Sequence, residues 1–146
     1  MNVYIDTSAL IKLYYPEAES TDLQEWVRRE NKSILYTSLH ELELKNALAL
    51  KVFRNEITGE AYSQLVQALD GDVEKSVLRR VHPEWGSVFH RSLEISDQNT
   101  PTVGARSLDI LHVAIALTLG CDRFITFDDW QIRLSQKTKL EIVSIG

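Results

Sequence analysis

The chain lacks paired cysteines, long apolar runs and a basic leader. Cys121 is its only cysteine, so an intrachain disulfide is excluded and a reducing compartment is expected. No apolar run approaches the roughly 18 residues that a membrane-spanning helix needs. The N-terminus has no basic segment and already carries an acid at Asp6, which argues against a secretory signal peptide. We therefore expect a soluble, cytoplasmic protein.

An excess of basic residues is also missing. The 146 residues include 16 Lys and Arg against 21 Asp and Glu, which gives a net charge of -5. Proteins that coat nucleic acid non-specifically rely on surplus Lys and Arg to neutralise phosphates, so this charge argues against that class. A nuclease stays compatible with an acidic chain, because a bound divalent metal reverses the sign of the charge in its own pocket.

No repeat, low-complexity tract or Gly/Ser-rich linker interrupts the chain, which favours a single domain. Short apolar runs predict strands at 2–5, 33–37, 77–81, 123–127 and 140–144. Helical spacing of apolar residues predicts helices at 8–15, 20–29, 39–53, 58–69, 84–96, 107–119 and 128–136. A break is expected at 70–72 and a loop at 99–104. Strands that alternate with helices predict an α/β fold with a parallel sheet covered on both faces.

Two acidic residues directly follow predicted strands. Asp6 comes after the apolar run 2–5, and Asp128 comes after the run 124–127. In parallel α/β sheets, ligands bind outside the carboxyl ends of the strands, so both residues are expected to face one site. Asp is also a preferred N-cap, and each residue precedes a predicted helix. A purely capping role is therefore the alternative for either one.

Two further acidic residues lie in predicted helices. Glu43 shares its helical face with the mostly apolar positions 39, 46, 47 and 50, an unfavourable setting for a solvated charge. Asp109 stands two residues after the expected N-cap Ser107 and opens the nearly uncharged stretch 110–119, where the helix dipole alone could explain it. Acids in apolar surroundings cost free energy unless they are paired or bind a metal. Together with the two strand-end acids, these residues predict one shared cation site.

The donor set of this predicted site consists of oxygen atoms alone. Such a set, without a cysteine or a histidine cluster, selects Mg²⁺ or Mn²⁺ rather than zinc. Metal ions of this kind promote phosphoester hydrolysis. The phosphate-binding patterns GxxxxGK[ST] and GxGxxG are absent from the sequence. His112 has no HxxxH or Cys partner, so a packed, hydrogen-bonded histidine near the site is expected rather than a zinc ligand.

Four segments, in order along almost the whole chain, resemble the motifs of the PIN-domain ribonucleases. The resemblance is greatest to the VapC toxins of bacterial VapBC toxin–antitoxin pairs. The segments are Asp-Thr-Ser-Ala-Leu at 6–10, Leu-Glu-Leu and Asn-Ala-Leu within 42–48, Arg-Ser-Leu-Asp-Ile-Leu-His-Val-Ala-Ile-Ala at 106–116, and Phe-Ile-Thr-Phe-Asp at 124–128. Each motif is weak alone, whereas four in register are fairly specific.

The resemblance implies a single PIN-like nuclease domain over residues 1–146, built as a three-layer α/β/α sandwich on a central, mostly parallel sheet. It implies Mg²⁺-dependent endonucleolytic cleavage of RNA, with Mn²⁺ able to substitute. Asp6, Glu43, Asp109 and Asp128 would form the catalytic quartet. Asp6 and Asp109 would bind the metal directly, while Glu43 and Asp128 would complete its shell. The resemblance also implies a homodimer and a small DNA-binding antitoxin whose C-terminal segment covers the site.

Several alternatives stay open at this point. Glu41 and Glu43 both lie near the helical acid of the family; Glu43 is preferred for its apolar face, whereas Glu41 is the expected partner of Lys45. Asp129 competes with Asp128, which is preferred because it directly follows the Thr-Phe pair. A catalytically silent interaction protein is the alternative from another functional class. A DNA-directed nuclease with the same metal chemistry is a third possibility.

Overall fold

Short strands and longer helices alternate along the computed structural model, which describes residues 3–146. The strands are β1 (Val3–Ile5), β2 (Ile34–Tyr36), β3 (Leu78–Arg80), β4 (Arg123–Ile125) and β5 (Glu141–Ile142). The α-helices are α1 (Thr7–Leu10), α2 (Ser20–Glu30), α3 (Ser38–Phe53), α4 (Gly59–Glu74), α5 (Trp85–Val103), α6 (Ser107–Thr118) and α7 (Asp129–Ser135). A 3₁₀ turn at Ile11–Leu13 follows α1. Asn2, in the predicted strand 2–5, lies outside the described residues.

Every strand pairing in the described chain is parallel. One sheet has the order β1-β4-β5, and the second sheet pairs β2 with β3. In the first sheet Tyr4 lies opposite Phe124, and both side chains are fully buried with their rings stacked 5.3 Å apart. Parallel strands require a crossover between them, and helices supply these crossovers. The predicted α/β class with parallel strands is confirmed.

The first of two compact units comprises residues 3–9 and His82–Ser144. It contains the sheet β1-β4-β5 and the helices α5, α6 and α7. Its core depends on α6, in which Val113, Ala114, Ile115 and Ala116 are all fully buried. A helix with apolar residues all around its circumference is buried from several sides, as α6 is here.

The second unit comprises Leu10–Val81 with Ile145–Gly146. It contains the sheet β2-β3 and the helices α2, α3 and α4. Its buried side chains include Leu23, Tyr36, Leu44, Leu48, Leu69 and Leu78, all at 0% exposure. The single domain over residues 1–146 stays a prediction.

Two predicted interruptions are wrong, because helices continue through them. The expected loop at 99–104 is the last part of α5, which contains Pro101. Pro101 removes one backbone hydrogen bond from α5, yet the helix continues to Val103, and its C-cap Gly104 has a left-handed φ of 70°. The expected break at 70–72 lies inside α4, where the hydroxyl of Tyr14 donates to Asp72 at 2.6 Å. No helix within residues 3–146 is long and apolar enough to cross a membrane.

Candidate active site

The carboxyl ends of β1 and β4 lie side by side in the first unit. The backbone N–H of Asp6 donates to the carbonyl of Ile125 at 3.1 Å, so the chain leaves both strands at the same edge. The backbone N–H of Asp128 donates to Thr126 Oγ1 at 3.1 Å, and Ser8 Oγ lies 3.4 Å from the same hydroxyl. Thr126 therefore connects the segments that carry the two strand-end acids. Asp6 and Asp128 therefore follow two neighbouring strands at the same sheet edge, and their role in a shared site stays a prediction.

Asp6 is a buried carboxylate, only 3% exposed. Its Oδ1 accepts from Ser8 Oγ at 2.7 Å and from the backbone N–H of Ala9 at 3.0 Å, so Asp6 also caps the start of α1. Burial raises the pKa of Asp6, and the charge of His112 with hydrogen bonds from Thr126, Ser8 and Ala9 lowers it only in part. The hydrogen bonds and the nearby charge thus offset only part of the free-energy cost of burying the charged Asp6 carboxylate. A bound cation would reduce this cost further.

Asp128 uses its two carboxylate oxygens differently. Oδ1 accepts from the backbone N–H groups of Trp130 at 2.8 Å and Gln131 at 3.3 Å, so Asp128 is the N-cap of α7. Oδ2 accepts from Arg106 Nη2 at 3.0 Å. The capping role is confirmed, and it leaves the second oxygen directed at a positive charge.

Asp109 lies in the first turn of α6, with its side chain 14% exposed. Its Oδ2 accepts from Arg106 Nε at 3.0 Å. The expected N-cap Ser107 is wrong by one residue, because Arg106 occupies the N-cap position with extended backbone and Ser107 is already helical. No side chain at this N-cap bonds the helix start. The helix therefore begins with an ion pair in place of a hydroxyl cap.

His112 is buried and hydrogen-bonded, as expected for a lone helical histidine. Its Nδ1 lies 2.6 Å from the hydroxyl of Tyr4, and its Nε2 lies 3.4 Å from Thr7 Oγ1. The side chain is 3% exposed. Sequence reasoning missed Tyr4, because a tyrosine inside an apolar strand gives no sign of its hydrogen-bond partner 108 residues away.

Sequence reasoning also missed the role of Arg106, which was named only as the first residue of the segment 106–116. Its guanidinium lies between the Oδ2 atoms of Asp109 and Asp128. The contact between Arg106 and Asp109 could have been predicted from the sequence, because residues three apart are neighbours on a helical surface. The contact with Asp128 spans 22 residues and depends on the fold.

Glu43 lies on α3, in the second unit, and its side chain is half-buried. The buried residues of α3 are His40, Leu44 and Leu48, so the buried stripe follows a four-residue spacing that does not include Glu43. The apolar face assigned to Glu43 from the sequence is not the buried one, since Leu50 on that face is 39% exposed. The apolar residues of α3 lie on several of its faces, so their spacing alone does not show which face packs against the core. The site role of Glu43 stays a prediction.

Glu41 and Asp129 are the alternatives to Glu43 and Asp128 as acids of the site. Glu41 Oε2 accepts from Lys45 at 3.2 Å, which confirms that predicted pair, and from Arg80 at 3.1 Å. The hydrogen bond from Arg80 is the main cause that lowers the pKa of Glu41. Asp129 is exposed, whereas Asp128 is half-buried and bonded to Arg106. The exposure of Asp129 favours Asp128, and the choice between Glu41 and Glu43 stays a prediction.

The donor chemistry of the first unit fits a hard divalent cation. Its site acids offer only oxygen atoms, which suit Mg²⁺ and Mn²⁺. Asp109 and Asp128 already share one positive charge, that of Arg106. Among residues 3–146, no three His, Cys, Asp or Glu side chains stand close enough to form a metal-binding group. The structure thus shows two carboxylates that converge on a cation, with a guanidinium as that cation.

The chain is similar to known proteins over almost its whole length. Residues 3–137 match the family model described as the PIN domain. No curated protein matches the chain.

Several solved structures are similar over nearly the whole chain. VapBC2 from Rickettsia felis, bound to a DNA fragment from their promoter, has a TM-score of 0.69 at 14% identity and covers 99% of this chain and 100% of that one. VapBC-1 from nontypeable Haemophilus influenzae has a TM-score of 0.66 at 12% identity, covering 97% and 98%. VapC20 from Mycobacterium tuberculosis, a sarcin-ricin loop cleaving toxin, has a TM-score of 0.64 at 15% identity, covering 90% and 95%. The PIN-like fold expected from the sequence motifs is confirmed.

Proposed function

The chain belongs to the PIN-domain family, and on that premise we propose that it is a metal-dependent endoribonuclease, the toxin of a toxin–antitoxin pair. One observation carries this proposal. At the shared edge of β1 and β4, Asp6 is buried with a raised pKa, while Asp109 and Asp128 converge on a single positive charge. Carboxylates grouped in this way can hold a divalent cation, and with that cation they form a hydrolytic site.

We assign Asp6 and Asp109 as direct ligands of Mg²⁺. Asp128 and Glu43 complete the shell of groups around the ion. When bound, the ion lowers the pKa of a water molecule and offsets negative charge on the phosphate. The protein holds its ligands in position before the ion arrives. Ser8 Oγ and the N–H of Ala9 orient Asp6, and the cap of α7 orients Asp128. Such preorganisation keeps the carboxylates from having to rearrange during the reaction.

The choice of RNA and of a toxin role rests on the similar structures. One of them is a toxin described as cleaving the sarcin-ricin loop, and another is a VapBC pair bound to promoter DNA. By analogy, we propose an RNA substrate, a homodimer and a small DNA-binding antitoxin for this chain. A short open reading frame encoding an antitoxin-like protein next to this one would support the partner.

The nuclease proposal is tested with purified protein and structured RNA. We expect cleavage with Mg²⁺ or Mn²⁺, none with EDTA, and 5′-phosphate product ends. Asp128→Asn should lower the rate on the order of a hundredfold, because it removes a charge at the site. Asp129→Asn is the matched control next to it and should leave the rate within about twofold, because Asp129 is exposed. Glu43→Gln and Glu41→Gln form a second matched pair on α3.

Each contrary outcome identifies a specific error. Products with 2′,3′-cyclic phosphates would require attack by the substrate's own hydroxyl and would rule out the metal-hydrolysis mechanism. Equal cleavage of single-stranded DNA would make the chain a general metal nuclease. Absence of both cleavage and Mn²⁺ binding would indicate a catalytically silent interaction protein. A larger loss for Glu41→Gln than for Glu43→Gln would reverse the assignment on α3.

A further inference from the structure

Arg106 holds two acids of the site at once. Its Nε donates to Asp109 Oδ2 and its Nη2 donates to Asp128 Oδ2, each at 3.0 Å. The two nitrogens differ, so one guanidinium and one positive charge serve both carboxylates. The Arg106 side chain is 65% exposed, whereas those of Asp109 and Asp128 are 14% and 27% exposed. The arginine thus covers the two acids from the solvent side.

One of these two oxygens, Oδ2 of Asp128, is also the oxygen that Asp128 can offer to a metal ion. Asp128 Oδ1 already accepts the N–H groups at the start of α7, so Oδ2 is the oxygen of Asp128 that is left for a cation. Asp109 likewise directs its Oδ2 at Arg106. Two converging carboxylates repel each other without a positive charge between them. The planar guanidinium, with donors at fixed spacing, meets this need in the absence of metal.

We propose that Arg106 is the internal counter-ion of the metal-free site and that a divalent cation must displace it to bind. This inference rests on the proposed function, since it concerns the same cation site. Exposed ion pairs are weak, so a divalent ion with twice the charge can replace the guanidinium. Arg106 then lowers the affinity of the site for metal and keeps its acids together until the metal arrives.

The direct test is a calorimetric titration of Mn²⁺ into EDTA-stripped protein. Arg106→Gln should bind Mn²⁺ about three- to tenfold more tightly than wild type, because the ion no longer competes with two charged hydrogen bonds. Arg91→Gln is the matched control. Arg91 is an exposed arginine of α5 in the same unit, and its loss changes the net charge by the same amount. The dissociation constant of this variant should stay within about twofold of wild type, because the charge of Arg91 is exposed and screened by salt.

A second measurement uses the unmodified chain and so does not depend on the folding of a variant. The Nε–H resonance of Arg106 can be followed by heteronuclear NMR during a Mg²⁺ titration. We expect it to move to the position of a solvent-exposed arginine, in parallel with metal binding, because its bond to Asp109 is lost. The Nε–H resonance of Arg91 should not move.

The outcomes separate this inference from the proposed function. If wild type binds Mn²⁺ and Arg106→Gln binds it equally or more weakly, the inference is wrong and the metal site stands. An Arg106 resonance that stays unchanged at saturating Mg²⁺ would also overturn it. If neither protein binds Mn²⁺ and the resonance is unchanged, both the inference and the proposed function are wrong.

Discussion

At the scale of single residues, the acids of the site are compensated in two different ways. Asp109 and Asp128 share the charge of Arg106. Asp6 is held by hydrogen bonds from Ser8 and Ala9, yet burial still raises its pKa. Removing a charge should therefore have opposite effects on stability at Asp6 and at Asp109, although both are assigned to one metal.

Asp6→Asn should raise the free energy of unfolding in EDTA at neutral pH by on the order of 1 kcal/mol. Asparagine keeps the acceptor oxygen at Oδ1 and removes a charge that burial penalises. Asp109→Asn should lower the free energy of unfolding by up to about 1 kcal/mol, because the charge of Asp109 pairs with Arg106 at a helix N-terminus. Urea unfolding of the two variants measures both signs. Stabilisation by Asp109→Asn would show that repulsion between the acids outweighs the ion pair.

The raised pKa of Asp6 also predicts how stability changes with pH. Folded protein holds the proton of the Asp6 carboxyl group to a higher pH than unfolded protein does, because the pKa of this group is near 3.8 in the unfolded chain. Stability is therefore lost as the pH rises from 3.8 through the folded pKa, while Asp6→Asn lacks this loss. The advantage of the variant in EDTA should be largest at neutral pH and should vanish below 3.8. An advantage that is independent of pH would mean that the titration of Asp6 is not its cause.

At the scale of elements, the start of α3 is held by a buried capping box. Thr37 Oγ1 accepts from the backbone N–H of His40 at 3.3 Å, and His40 Nδ1 accepts from the backbone N–H of Thr37 at 3.1 Å. Both side chains are at 0% exposure. Glu43 lies one turn further along this helix, so the cap fixes the start of the element that carries the predicted site acid.

Thr37→Val should lower the free energy of unfolding by about 1–3 kcal/mol. Valine keeps the shape of the side chain and leaves the buried N–H of His40 without that acceptor. Thr58→Val is the matched control, because Thr58 caps α4 through the N–H of Ala61 at 3.1 Å but is exposed. Water can replace its hydroxyl, so the loss should be about 0.5–1 kcal/mol. Equal losses in urea unfolding would show that burial of the cap does not matter.

At the scale of the whole molecule, the proposed homodimer requires an apolar surface. In the first unit, Phe89 and Leu93 on α5 are 56% and 71% exposed, and Leu108 on α6 is 50% exposed. Phe89 and Leu93 also line a cavity of about 200 Å³ with residues of α6. Clustered exposed apolar side chains mark association surfaces more often than single ones do.

Leu93→Glu should shift a dimer towards monomer at micromolar concentration, because it places a charge among these exposed apolar side chains. Leu42→Glu is the control, since Leu42 on α3 is similarly exposed at 68% but belongs to the second unit. Multi-angle light scattering measures both variants and the wild type. A wild type that is monomeric throughout would contradict the homodimer, and dissociation by Leu42→Glu alone would move the interface to α3.

Local features of the sequence were sufficient to predict the class of fold and the sheet edge at which Asp6 and Asp128 lie. Apolar runs followed by helical patterns predict parallel strands with crossover helices, which the structure confirms. Asp6 and Asp128 directly follow such runs, and their positions at one edge follow from parallel pairing alone. The loop predicted at 99–104 was wrong because α5 continues past Pro101 to Val103, although a proline costs a helix one hydrogen bond.

The sequence by itself determined which elements form and which acids stand at strand ends, because both depend on neighbours within a few residues. Tertiary structure decided which groups offset the negative charges of those acids. The bridge from Arg106 to Asp128 and the contact between Tyr4 and His112 join residues 22 and 108 positions apart. The burial that raises the pKa of Asp6 likewise exists only in the folded chain. Charge and desolvation act through space, so only packing determines whether an acid meets a hydroxyl, a guanidinium or an apolar core.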